Sequence, residues 1–222
     1  MHRKRLLVWL IGAPLLCLGA FSNLVLAHEI VGQVTPLMIH MKRALLLIQN
    51  GKEQAAVLEI ETVYEDFSHD MGMGMTMDGV GLKTTARQID LKFGTRLEAF
   101  LSAAIHKKDA SGLQTGVQTI AFLLMLEKFN ALQDTFAHRP THTNTPKTIY
   151  WLGRNYFSYL LEPTLAKTDP VQEKRLDQLL DKMLYRLEDN RPEAFVAFQK
   201  ELEQGISAVF NLNVPIGGRD VK

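Results

Sequence analysis

Residues 111–137 read SGLQTGVQTIAFLLMLEKFNALQDTFA. Leu113, Val117, Ile120 and Leu124 recur at the period of one face of an α-helix. Ser111 with Gln114 makes a capping-box pattern at its start. The run continues to about Ala137, which predicts one long helix.

Working outward, the same period returns. Thr35 and Pro36 read as an N-cap and first helical residue, and Leu37, Met38, Met41, Leu45 and Ile48 follow before Asn50-Gly51. Val57, Ile60, Tyr64 and Phe67 carry the spacing through a second segment. Ile89, Phe93, Leu97, Phe100 and Ala104 carry it through a third, with Gly94 inside that helix at a cost of about 1 kcal/mol. His138 to Pro146 is a polar loop. Thr145-Pro146 opens a helix that ends near Pro163, and Asp169-Pro170 opens another with Leu176, Leu180, Met183 and Leu187 inward. Pro192 opens the last, with Phe195, Phe198, Leu202 and Ile206. No stretch reads as a strand between turn signals. The expected fold is all-α, an up-and-down helical bundle of four main helices plus two or three packed helices. The domain spans 28–210, with a sub-lobe boundary at 138–146 and a loose tail over 211–222.

Residues 1–27 carry a different signal. Arg3, Lys4 and Arg5 precede an uncharged run from Leu6 to Ala27, and Val25 and Ala27 form a small-residue exit. This is the layout of a secretory signal peptide cut after Ala27. An uncleaved anchor is the rival reading, against which Pro14, Ser22 and Asn23 interrupt the run. Cys17 follows Leu15 and Leu16, which does not suit lipidation. Of the 222 residues, 46% are apolar and 22% charged, which excludes collagen, a disordered tail and a multi-span membrane protein. The leader removes three of 25 basic residues and no acid, leaving 22 against 24, about −2, with no basic patch for nucleic acid. It also removes the only Cys. Disulfides, thiolate zinc, iron–sulfur clusters and covalent haem are thereby excluded from the mature chain. There is no Gly-x-Ser-x-Gly elbow, phosphate loop or dinucleotide fingerprint, so nothing marks an enzyme.

One segment stands apart. His69-Asp70-Met71-Gly72-Met73-Gly74-Met75-Thr76-Met77-Asp78-Gly79 alternates four Met with small residues. Core Met is ordinarily scattered on helix faces. Here the glycines forbid a stable helix, so an exposed, mobile loop is expected. Thioethers prefer Cu(I) and imidazole takes Cu(I) or Cu(II), which makes His69, Met71, Met73, Met75 and Met77 a candidate copper-capturing strand. The bland alternative is a hydrophobic flap packed on the bundle. Leading into it, Glu61, Glu65 and His69 are spaced to lie along one helix stripe, with Asp70 nearby, a pattern that would hold iron with Glu98 or Glu127 from another helix. Against that, an acidic helix face is usually only solvated. His28, once N-terminal, could chelate copper through its amine and imidazole, with His40, His69 or His106 as second ligand. Tyr150, Trp151, Tyr156, Phe157 and Tyr159 make an aromatic helix, read first as core and second as a partner surface.

Ala55-Ala56-Val57-Leu58, Tyr64 with Phe67, Ile89-Asp90, Phe93, Leu97 and Ala103-Ala104-Ile105 together resemble the periplasmic helical region of bacterial high-affinity iron permeases. The resemblance covers residues 51–109 and implies iron handling. The expected function is therefore a periplasmic accessory protein that binds copper or iron and hands it to a membrane permease or redox partner, itself having no membrane span after cleavage. The alternative is a helical adaptor presenting the aromatic helix. A haem held by His and Met is a third class, which colour on purification would announce.

Overall fold

In the computed structural model the described residues are 34–72, 75–138 and 145–212. The expected leader, its cut after Ala27, His28, Met73, most of the 138–146 loop and the tail beyond Leu212 lie outside them. The architecture is an all-α bundle, as the periodicity predicts. Its helices are α1 (Pro36–Gln49), α2 (Glu53–Glu61), α3 (Leu82–Phe93), α4 (Leu97–Lys107), α5 (Ala110–His138), α6 (Thr145–Tyr156), α7 (Glu162–Thr168), α8 (Pro170–Glu188) and α9 (Pro192–Phe210). Among the described residues no helix is long and apolar enough to cross a membrane.

The long helix α5 is the axis of the bundle. Residues 120–123 are all buried, along with Leu113, Val117, Met125, Phe129 and Leu132. A helix buried on every side is a core helix, and α1, α2, α3, α4, α6 and α9 all pack on it. Its cap is not Ser111. The Asp109 carboxylate accepts from the Gly112 N–H at 2.9 Å, which places Ser111 inside the first turn. The helices before and after residues 139–144 share one core. Phe129 of α5 stacks on Tyr150 of α6 with ring centroids 5.8 Å apart and meets Phe195 of α9 edge-on at 6.4 Å.

Caps explain the ends that were predicted well. Thr35 Oγ1 accepts from the Met38 N–H at 3.2 Å, and Pro36 follows at the first turn. Asp169 does the same for α8 through the Gln172 N–H at 3.0 Å.

Three expectations are corrected. The third segment is two helices. Gly94 sits in the left-handed region (φ 67°) and ends α3, which a residue without Cβ does at little cost. Asp90 then caps α4, its carboxylate accepting from the Leu97 N–H at 2.6 Å and the Glu98 N–H at 3.0 Å. The helix from Thr145 does not stop at Pro163. It passes through a π-helical turn at Phe157–Leu161, where the Glu162 N–H donates to the Phe157 carbonyl, and resumes as α7 with Pro163 in its first turn. A proline cannot donate to the preceding turn, and the wider turn absorbs that loss.

The third correction concerns strands. Phe67–Gly72 (β1) and Met75–Gly79 (β2) form an antiparallel pair between α2 and α3. The segment expected to be an irregular loop is a hairpin. Tyr64 and Phe67 are not helical, because α2 ends at Glu61.

Candidate metal centre on the hairpin

The neck of the hairpin is built from both flanking chains. Beyond the ladder, the Leu82 N–H donates to the Val63 carbonyl at 2.9 Å and the Lys83 N–H to the Tyr64 carbonyl at 2.8 Å. The Asp66 carboxylate accepts from the Gly81 N–H at 2.8 Å. Gly81 is pressed against the Glu65 backbone so closely that no Cβ fits there. Phe67 closes the neck from above. Its ring lies where a Cβ on Gly79 would be, 2.5 Å from its Cζ, and it meets the His40 ring of α1 edge-on at 5.8 Å.

The ladder pairs Phe67 with Gly79, Ser68 with Asp78, His69 with Met77 and Asp70 with Thr76. A bulge follows: Gly72 pairs with Met75, and Met71 is the residue left over. Two of the predicted ligands, His69 and Met77, thus occupy directly opposed positions. Met73 lies outside the described residues.

The carboxylates of the iron reading are placed differently from expectation. Glu61, Glu65 and His69 do not share a helix stripe, since Glu61 is the last residue of α2, Glu65 lies in the bend and His69 is in β1. Glu61 is exposed. Glu65 accepts from Lys83 Nζ at 2.6 Å, and this hydrogen bond raises the lysine above its ordinary pKa. Glu98 is held by two hydrogen bonds from Arg87, at 2.7 and 3.1 Å, which keep its carboxyl below the usual range. Glu127 pairs with Lys92 at 2.8 Å. Among the described residues no group of three or more His, Asp or Glu is placed to hold a metal ion. Glu65, Glu98 and Glu127 are engaged by cations, and a hard metal would have to displace these before binding to them.

Two features escaped the sequence. His40, named above as a candidate second ligand for His28, is bonded through Nδ1 to Glu59 Oε1 at 2.7 Å, and Arg43 meets the same oxygen at 3.2 Å. A cleft of about 520 Å³ opens beside the neck, lined by Tyr64, Glu65, Lys83, Glu98, Ser102 and His106 among others. Only contacts between segments far apart in sequence create either, so no local motif signals them.

The aromatic helix is mostly core. Tyr150, Tyr156 and Phe157 are buried, and Trp151 is the member that is exposed. No family model, curated protein or solved structure matches the chain.

Proposed function

We propose that the chain is an exported accessory protein that captures a transition metal on its β-hairpin, copper in preference to iron, and passes it to a permease or redox partner. The observation that supports it most is the hairpin itself. A Met-rich stretch following a His is carried on a strand pair rooted in a helical bundle, which supplies soft ligands at regular intervals. Helix boundaries weaken the iron alternative, because the Glu61–Glu65–His69 stripe is not formed and Glu65, Glu98 and Glu127 already have cation partners. The adaptor reading draws on the exposed Trp151 and the half-buried Tyr159, since the other three of its five aromatics are buried in the core. Export rests on the basic start, apolar run and small-residue exit of residues 1–27.

The test is metal analysis on protein purified from its exported location, with Cu(I) titration against a competing chelator. Replacing Met71, Met73, Met75 and Met77 together by Ser abolishes tight Cu(I) binding and leaves the helical signal intact. Iron that follows Glu65 and His69 would favour the permease resemblance. No bound metal, with weak Cu(I) affinity unchanged in the four-Met variant, would refute the metal reading.

A further inference from the structure

The hairpin does more than string out thioethers, because its register sorts them. In an antiparallel ladder, opposed residues share a face and successive residues alternate. Positions 67, 69, 77 and 79 therefore fall on one face, and 75 joins them because β2 is continuous from 75 to 79. Positions 68, 70, 76 and 78 fall on the other. That second face carries Ser68, Asp70, Thr76 and Asp78, all oxygen-bearing, and Ser68 Oγ donates to Asp78 Oδ1 at 2.9 Å. The first carries one imidazole residue and two thioether residues, with Phe67 and Gly79 at its root.

We propose that the face on which this register places His69, Met75 and Met77 binds a single Cu(I) ion, and that Met71 is not part of the site. The proposal rests on the metal-carrier reading above and specifies its ligands and oxidation state. Opposed positions such as 69 and 77 have Cβ atoms roughly 4.5–5.5 Å apart. Positions 75 and 77 lie two residues apart on one strand, roughly 6.5–7 Å along it. Both spacings suit ligands that converge on one ion. One nitrogen and two soft sulfurs select Cu(I) over iron or Cu(II), which favour harder donors. Met71 is the unpaired residue of the bulge and belongs to no ladder position.

The register is itself pinned from outside the site. The Phe67 ring fills the space above Gly79, and the Ser68–Asp78 bond holds the next pair. A slip of one residue would send Met75 and Met77 to the opposite face from His69. The site should therefore fail when the neck is disturbed, although every ligand remains.

The experiment is anaerobic titration of the full chain with Cu(I), and with Ag(I) as a redox-silent probe, against a competing chelator. Far-UV circular dichroism controls for folding. One equivalent binds tightly to the wild-type chain. His69→Ala, Met75→Ser and Met77→Ser each weaken it by about 10–100-fold or more, the loss seen even when a residue that only orients a ligand is removed. Met71→Ser leaves affinity unchanged. Gly79→Val, which must displace Phe67, weakens binding with helix content intact. Losses that follow Met71, or wild-type affinity in Gly79→Val with a displaced Phe67, would overturn this ligand set while leaving the carrier reading standing. A wild-type chain that binds neither ion would overturn both.

Discussion

Gly81→Ala tests the neck directly. Gly81 has φ −74°, a conformation open to any residue, so alanine meets no backbone strain there. What it meets is the other chain. The new Cβ would lie within contact distance of the Glu65 carbonyl carbon and oxygen, and 2.7 Å from the Asp66 nitrogen. These are backbone atoms and cannot rotate aside. Ordinary carbon contacts are roughly 3.5–4.0 Å, so the two chains must part by about 1 Å. Three hydrogen bonds of 2.8–2.9 Å cross this gap, from Gly81 to Asp66, Leu82 to Val63 and Lys83 to Tyr64. Lengthened by about 1 Å they are no longer hydrogen bonds. At about 1 kcal/mol each, their loss costs about 3 kcal/mol. Leu82, fully buried beside them, moves too. Gly51→Ala is the control, because Gly51 has φ 70° and open space around it. It pays only left-handed strain, about 1–2 kcal/mol. Urea unfolding followed by circular dichroism measures both. A Gly81→Ala chain no less stable than Gly51→Ala would refute the claim that the neck is closed by backbone-to-backbone packing.

Two further predictions concern titration of buried groups. Burial pushes the Tyr150 hydroxyl up to about 12, where it donates to the Leu180 carbonyl at 2.6 Å. The unfolded chain loses this proton first, near its ordinary value of about 10. The stabilisation is therefore complete below about pH 10 and lost as pH rises through about 12, a fall of about 2–3 kcal/mol for a shift of this size. Tyr150→Phe should flatten that alkaline limb in denaturation measured from pH 9 to 12; parallel curves would refute it. Glu203 is raised by burial, against the Gln199 amide that donates to it at 2.7 Å. Its contribution is present below the unfolded carboxyl range and lost as pH rises through the folded value. Glu203→Gln should therefore stabilise the chain at pH 7 and lose that advantage near pH 4, and a variant less stable at pH 7 would show the carboxylate to be favourable there.

The bundle was legible where two independent local signals agreed. Thr35 with Pro36 and Asp169 with Pro170 pair a cap with a first-turn proline, and an apolar period follows each. It was misread where one signal stood alone. Ile89, Leu97 and Ala104 of that spacing stay buried across the break at Gly94, because α3 and α4 turn apolar sides to the same core, whereas Phe100 is exposed. Periodicity reports most of the residues that face the core, not whether the chain between them is continuous. Asp90 and Gly94, a side-chain cap and a left-handed residue, mark the break, and neither is periodic. Pro163 erred the other way: a helix breaker by rule, it follows a π-turn that packs on α1 and α5, and the helix continues through it.

The hairpin was hidden for a different reason. Its ladder alternates at period 2 as a strand should, yet Met and Gly replace the β-branched and aromatic residues that favour strands. Local propensity argued for a loop. What makes it a hairpin is non-local: Val63 with Leu82, Asp66 with Gly81, and Phe67 over Gly79 between α1 and the sheet. Composition could thus list the soft donors but could not pair them. Counting in helical turns placed His69 with Glu65 and Glu61, whereas the observed register sets it opposite Met77, eight residues on. A donor beside carboxylates suits iron, and the same donor beside thioethers suits copper. On the proposed metal-carrier reading, the choice of metal therefore turns on where α2 ends. If a variant extended that helix through Glu65 to His69, by replacing the β-branched Thr62 and Val63 with Ala, the pairing with Met77 would be lost. Cu(I) affinity should then fall with all four methionines still in the chain.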